Sequence, residues 1–183
     1  MIIQLENPKT DSYNNLKSLV LGPYFQWFYN EYFIHQDSPS YNKLIDRGDD
    51  VSKYSQTSFL SHDVLTRPLD NRKYSYPGSN YVEPFYNVLV EIFNHNNIEL
   101  NCLYRMNANM VFPQEGKQQT IPHTDHKFPH NNLIIYLTSS GGQTVCEGEV
   151  FDPKEDDIIT FTGEHYFMLP KKDKRIVLVA TYI

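Results

Sequence analysis

Apolar residues recur with two different periods along this 183-residue chain. In the first part the period is helical. "DSYNNLKSLVLG" reads as a short helix that Asp11 or Ser12 caps and Gly22 stops. In "NYVEPFYNVLVEIFNHNN", Val82, Phe85, Leu89, Ile92 and Phe93 return at spacings of three and four. Pro84 suits a first turn there and Asn80 can cap. "FQWFYNEYFI" (25–34) reads as an aromatic-rich strand. Residues 35–80 are polar and carry turn signals at Pro39, Pro68, Pro77 and Gly78, which predicts loops and short strands.

From residue 99 the period becomes two. In "ELNCLYRMNANMVF" (99–112), Leu100, Cys102, Tyr104, Met106, Ala108 and Met110 fall on one face. Asn101, Leu103, Arg105, Asn107 and Asn109 fall on the other, where they either line a pocket or meet solvent. Four more strands are predicted, over 132–139, 143–151, 157–163 and 175–183. Gly141-Gly142 reads as a hairpin turn, and Lys154-Glu155-Asp156-Asp157 as a solvated turn. Helices followed by a run of short antiparallel strands predict a mainly β (α+β) protein, a double-sheet fold with N-terminal helices packed on one side.

The length predicts one domain, 1–183, with residues 1–98 as a supporting region with edge strands and 99–183 as the β core. Abundant aromatics, 14 Tyr and 11 Phe, suit a β-rich fold. A formal net charge of −6 and the lack of a Lys/Arg block disfavour a phosphate backbone as general partner. Cys102 and Cys146 have neither zinc-knuckle nor redox-pair spacing, so they read as free thiols of a reducing compartment. "MIIQLENPKTDS" lacks the apolar stretch of a secretory leader, and no run approaches a membrane span. A soluble, cytoplasmic protein is expected.

The chemistry concentrates in "IPHTDHKFPHNNLIIYLTSS". On extended backbone, His123 and Asp125 point the same way, so imidazole and carboxylate converge as a metal requires. His165, forty residues beyond Asp125, follows a strand that can return to the same mouth. Two histidines and one carboxylate make the facial set that leaves positions open on Fe(II). Arg175 opens the last strand ten residues later. A buried guanidinium there needs an anion, and Arg is shaped to grip a carboxylate. Tyr136 either adds a hydroxyl to that grip or is a core aromatic. His126 and His130 read as loop residues near the entrance, and His35, His62 and His95 as structural or solvated.

Taken together, "HTDH…NNLIIYLTSSGGQT…DIITFTGEHYFMLPKKDKRIVLVATYI" resembles the double-stranded β-helix (jelly roll, cupin-like) of the Fe(II)/2-oxoglutarate-dependent dioxygenases. The nearest branch is the prolyl-4-hydroxylase-like one. Its HxD motif, Tyr-Leu strand end, Gly-Gly turn, distal His and Arg occur here in order over 123–183. "WFYN", "LYRMNANMVFP" and the 81–95 helix also resemble small oxygenases of marine phages.

The resemblance implies a hydroxylase that takes Fe(II), 2-oxoglutarate and O2, with ascorbate keeping the iron reduced. It implies Tyr136 at the 2-oxoglutarate C5 carboxylate. Phe112-Pro113 stands where relatives often have Tyr-Pro; Asn107 or Asn109 is the substitute for that hydroxyl. The "YFMLP" stretch after His165 is one residue longer than the common spacing. The implied substrate is a peptidyl proline, another protein side chain or a small metabolite. A zinc hydrolase or a degenerate binding barrel is the alternative, since such a triad also holds Zn(II). Arg175 separates the two, because a hydrolase has no need of a dicarboxylate clamp.

Overall fold

The period-two segment becomes the central scaffold of the protein. Our computed structural model describes residues 1–34, 39–51, 57–68, 74–116 and 118–183. Its elements are β1 (Ile2–Leu5), α1 (Asp11–Leu21), β2 (Phe28–Asn30), α2 (Pro39–Asp46), β3 (Phe59–Thr66), β4 (Tyr76–Pro77) and α3 (Val82–His95). There follow β5 (Leu103–Val111), β6 (Asn131–Tyr136), β7 (Thr144–Cys146), β8 (Glu149–Phe151), β9 (Ile158–Phe161), β10 (His165–Phe167) and β11 (Arg175–Tyr182).

The major sheet runs β1-β9-β6-β11-β5-β3-β2, with β4 beside β3, and the minor sheet runs β10-β7-β8. All pairings are antiparallel. Residues 118–123 lie along β10 and extend the minor sheet, through bridges Gln119–Met168 and His123–His165.

Alternation on the central strands sorts side chains between two environments. Met106, Ala108 and Met110 of β5 join Leu133 and Ile135 of β6 and Ile176, Leu178 and Ala180 of β11 in the main core. The apolar faces of α1 (Tyr13, Leu16, Val20) and α3 (Phe85, Val88, Leu89, Ile92, Phe93) close over them. Each such burial removes apolar area worth about 1.5–3 kcal/mol from water. The intervening residues face the minor sheet and line the space between the two layers. This is the expected β-helix with helices on the major sheet.

Several local expectations need correction. The N-cap of α1 is Thr10, whose hydroxyl accepts from the Tyr13 amide, rather than Asp11 or Ser12. Asn80 does not cap α3; the N-cap position is Tyr81, without a side-chain bond. The aromatic run 25–34 is a strand only over Phe28–Asn30. Phe25 turns into the main core and Phe33 packs on Phe59 and Phe167, so its rings serve separate clusters. The segment 143–151 is a hairpin rather than one strand. Glu147 and Gly148 both have positive φ, 48° and 87°, between paired Cys146 and Glu149, as a type I′ turn requires.

Gly141-Gly142 is not a hairpin turn, because β6 and β7 belong to different sheets; it is the crossover between layers. Nor is the 154–157 turn merely solvated. Asp156 accepts from Tyr13 at 2.6 Å and pairs with Lys17 and Lys9, tying α1 to the turn before β9. The 35–80 region contains α2 and the eight-residue β3. His35 lies outside the described residues. Among the described residues no helix is long and apolar enough to cross a membrane.

Candidate metal centre and its cavity

The outermost strip of the minor sheet brings the histidines together. His123 and His165 form an isolated antiparallel bridge. Opposed residues in such a pair carry their side chains to the same face, and the two ring centroids are 4.5 Å apart. Nδ1 of His123 lies 2.9 Å from the Ile121 carbonyl, and Nδ1 of His165 lies 3.2 Å from the Gly163 carbonyl. A carbonyl only accepts, so each Nδ1 carries the hydrogen and each neutral ring leaves its Nε2 lone pair free. Asp125 completes the group: one ligand atom from each of His123, Asp125 and His165 lies within 4.8 Å of the others.

The carboxylate is held from two directions. Arg105 donates to Oδ1 at 2.9 Å, and Arg67 donates to the Asp125 backbone carbonyl at 3.0 Å. Oδ2 faces His165 Nε2 at 3.5 Å. Burial would raise the Asp125 pKa, yet Arg105, with His165, His123 and Arg67, holds the carboxyl well below the usual range. Burial pushes His165 down to about 4, reinforced by His123, and pushes His123 down as well. At neutral pH the group therefore presents two neutral imidazoles and one anionic oxygen. That donor set, with backbone bonds orienting both rings, fits a first-row divalent cation.

The triad opens into a cavity of about 500 Å³, large enough for a small ligand. Arg175 lines it and is 3% exposed. Its Nε donates to Gly142 O and its NH2 to Thr144 Oγ1, both at 3.2 Å. The guanidinium lies over Phe167, 4.4 Å from the ring centre. Among the described residues no carboxylate pairs with it. A buried cation with donors to spare and no counter-ion calls for an external anion. Burial also pulls its pKa below the ordinary guanidinium value.

Gly142 permits the approach. It has φ +80°, and a Cβ there would sit 2.8 Å from Met168 O and 2.9 Å from Arg175 Cδ.

The other predicted residues are placed unequally. Asn109 lines the cavity. Asn107 stands behind it, donating to Asn109 Oδ1 at 2.6 Å, with its own Oδ1 buried and unpartnered among the described residues. Tyr136 is fully buried and does not line the cavity; its hydroxyl meets Thr144 Oγ1 at 2.7 Å. It thereby fixes the hydroxyl that bonds Arg175. Phe112 is 45% exposed and is not among the residues that line the cavity.

His126 and His130 lie in the loop before β6, as expected, but are packed there rather than solvated. His126 lines the cavity and bonds Thr181 Oγ1 at 2.8 Å, and His130 is buried. Neither belongs to the triad. His62 is buried against Phe25 and Tyr81, and His95 is exposed beside Glu6. Sequence reasoning missed Arg67, Thr144 and the apolar wall of Phe33, Phe59 and Phe167. Arg105 was visible on the polar face of its strand, but not its bond to Asp125.

The sequence matches no family model and no curated protein. Solved structures do match. A 2OG-Fe(II) oxygenase family oxidoreductase from Burkholderia pseudomallei superposes with a TM-score of 0.67, covering 99% of this chain and 84% of that one at 13% identity. EvdMO1 superposes at 0.56, covering 99% of this chain and 46% of that one at 10% identity. The 2OG complex of the viral collagen prolyl hydroxylase vCPH, from Paramecium Bursaria Chlorella virus-1, overlays more loosely. Its TM-score is 0.48, at 12% identity over 86% of this chain and 96% of that one. The first two establish a shared fold.

Proposed function

We propose that this protein is an Fe(II)- and 2-oxoglutarate-dependent dioxygenase that hydroxylates its substrate. One juxtaposition carries the reading: a His-Asp-His triad and a buried Arg175, without a counter-anion among the described residues, line a single cavity. The fold shared with a 2OG-Fe(II) oxygenase family structure supports it. A zinc hydrolase would use the triad and leave Arg175 unexplained.

His123, Asp125 and His165 would hold the metal, through the two Nε2 atoms and Asp125 Oδ2. Arg175 would take the distal carboxylate of 2-oxoglutarate, with Thr144 holding the guanidinium and Tyr136 holding Thr144. Asn109 offers an amide on the wall of the same cavity. When bound, iron and 2-oxoglutarate supply the oxidative chemistry: O2 and 2-oxoglutarate are consumed, succinate and CO2 leave, and one oxygen atom enters a C–H bond of the substrate.

The chain orients and encloses. The backbone bonds to each Nδ1 fix ring direction. Arg105 occupies Oδ1 of Asp125, so that carboxylate offers the metal a single oxygen. Phe33, Phe59 and Phe167 keep water from one side of the cavity. Ascorbate would keep the iron reduced. Exposed Cys102 and buried Cys146, both free thiols, suit a cytoplasmic setting.

The test is anaerobic addition of Fe(II) and then 2-oxoglutarate to the purified protein, followed by visible absorption. A metal-to-ligand charge-transfer band is expected, absent in His123→Ala and His165→Ala. Metal binding without a band, and without 2-oxoglutarate turnover in air, would end the oxygenase reading.

A further inference from the structure

We infer that Arg67 and Arg105 together hold an oxyanion group, carboxylate or phosphate, on the substrate that is oxidised, so that this substrate is a small anionic molecule. The inference rests on the oxygenase reading above and adds the substrate class to it.

Among the described residues, the cavity walls carry four cationic side chains, Arg67, Arg105, Lys127 and Arg175, and one carboxylate, Asp125. This imbalance is local, since the chain as a whole has net charge −6. A divalent metal and doubly charged 2-oxoglutarate cancel each other, so loading the site leaves the excess in place. Arg175 is satisfied by 2-oxoglutarate. Arg105 has only Asp125, which it shares with the metal, and Arg67 has no anion among the described residues.

Both guanidiniums converge on one residue. Arg105 takes Asp125 Oδ1 and Arg67 takes the Asp125 backbone carbonyl. Among the described residues Arg67 has no carboxylate within ion-pair distance. A carbonyl accepts a hydrogen bond but neutralises nothing. Arg105 meets Asp125 at 2.9 Å and Arg67 meets the same residue at 3.0 Å, which brings two like charges together in the cavity wall. A second anion between the pair would relieve that repulsion and use the planar donors each retains.

Position limits what the anion can be part of. Both arginines grip a triad residue, and they line the same cavity of about 500 Å³ as His123 and His165. The anion and the carbon to be oxidised must therefore be only a few bonds apart. A neutral prolyl side chain offers no such group, and an acidic chain with no basic block is poorly suited to a nucleic-acid backbone.

The test is isothermal titration of the full chain, loaded with Mn(II) and saturating 2-oxoglutarate. The probes are inorganic phosphate, N-acetylglycine and uncharged N-acetylglycinamide. We expect at least one anion to bind and N-acetylglycinamide to bind at least about tenfold more weakly, the worth of one charge-assisted hydrogen bond. The anion that binds more tightly identifies carboxylate or phosphate as the group. Arg67→Gln should weaken it at least about tenfold. Arg67→Lys, which keeps the charge and loses the fork, should weaken it about threefold or more, and replaces Arg67→Gln if that variant does not fold. Exposed Lys171→Gln should change it less than about twofold.

Binding of neither anion, or equal binding by parent and Arg67 variant, overturns the inference. Failure of the oxygenase reading shows separately, as no heat on adding 2-oxoglutarate. The same probes on the Mn(II) form then decide the arginine pair alone.

Discussion

His123 and His165 exchange both backbone hydrogen bonds across one bridge, each 2.9 Å long. The two imidazoles are thus set by the minor sheet's own ladder, and an ion between them would brace strip 118–123 against β10.

Metal binding should therefore read out as stability. Mn(II) at about 100 times its Kd should stabilise the parent by about 2.7 kcal/mol. In His123→Ala or His165→Ala that gain should vanish, with affinity lower by more than about 100-fold, beyond what loss of a residue supporting a ligand costs. Thermal unfolding with Mn(II) and with chelator measures it.

Arg105→Met should spare the ligands and loosen one. Freed Oδ1 lets the Asp125 carboxylate rotate, so Mn(II) affinity should fall by about 10–100-fold. Titration calorimetry gives the number; unchanged affinity would show that Arg105 does not orient Asp125.

Arg175→Met should separate stability from binding. The parent buries a cation that has no counter-ion among the described residues, and an apolar replacement of similar length removes that cost. The variant should be as stable as the parent or more so, by about 1–3 kcal/mol, while 2-oxoglutarate binds at least about tenfold more weakly. Urea unfolding and calorimetry check the two halves.

Gly142→Ala should damage both. At φ +80° an L-residue is strained by about 1–3 kcal/mol, and its Cβ displaces either the Met168 carbonyl or the Arg175 side chain. Lower stability together with weaker 2-oxoglutarate binding is expected, by the same two assays.

Acid should unfold the metal-free protein through its histidines. Burial holds His165 and His126 at about 4 in the folded chain, below the ordinary value of about 6.5. As pH falls from about 6.5 the unfolded chain takes up these protons first. The contribution to stability is complete above that pH and lost as pH falls through about 4. Denaturation in chelator at stepped pH should show stability declining with acidity, with a shallower slope in His126→Gln.

The central strands were legible because their alternation is a backbone property: Met106 and Asn107 must point oppositely wherever the strand lies. The triad was proposed for the same reason, since order and spacing limited which side chains could meet. What escaped needed three dimensions. Arg67 sits in a stretch without usable periodicity, yet reaches Asp125. Tyr136 reads as a strand aromatic, and only packing shows that its hydroxyl ends on Thr144. Glu147-Gly148 lacks the Asn-Gly or Asp-Gly signature of its turn, so the hairpin read as one strand. Gly141-Gly142 signals a sharp turn equally well within a sheet or between sheets.

The alternation of β5, β6 and β11 has an evolutionary consequence. Neighbouring letters of one strand answer to different demands, one set to the helix-covered core and the other to the cavity. Substitutions at Ile134, Asn109 or Val179 can explore new specificities while Met106, Ala108 and Leu178 go on holding the fold. Innovation and robustness are interleaved residue by residue, so this scaffold can drift in what it accepts without first becoming unstable.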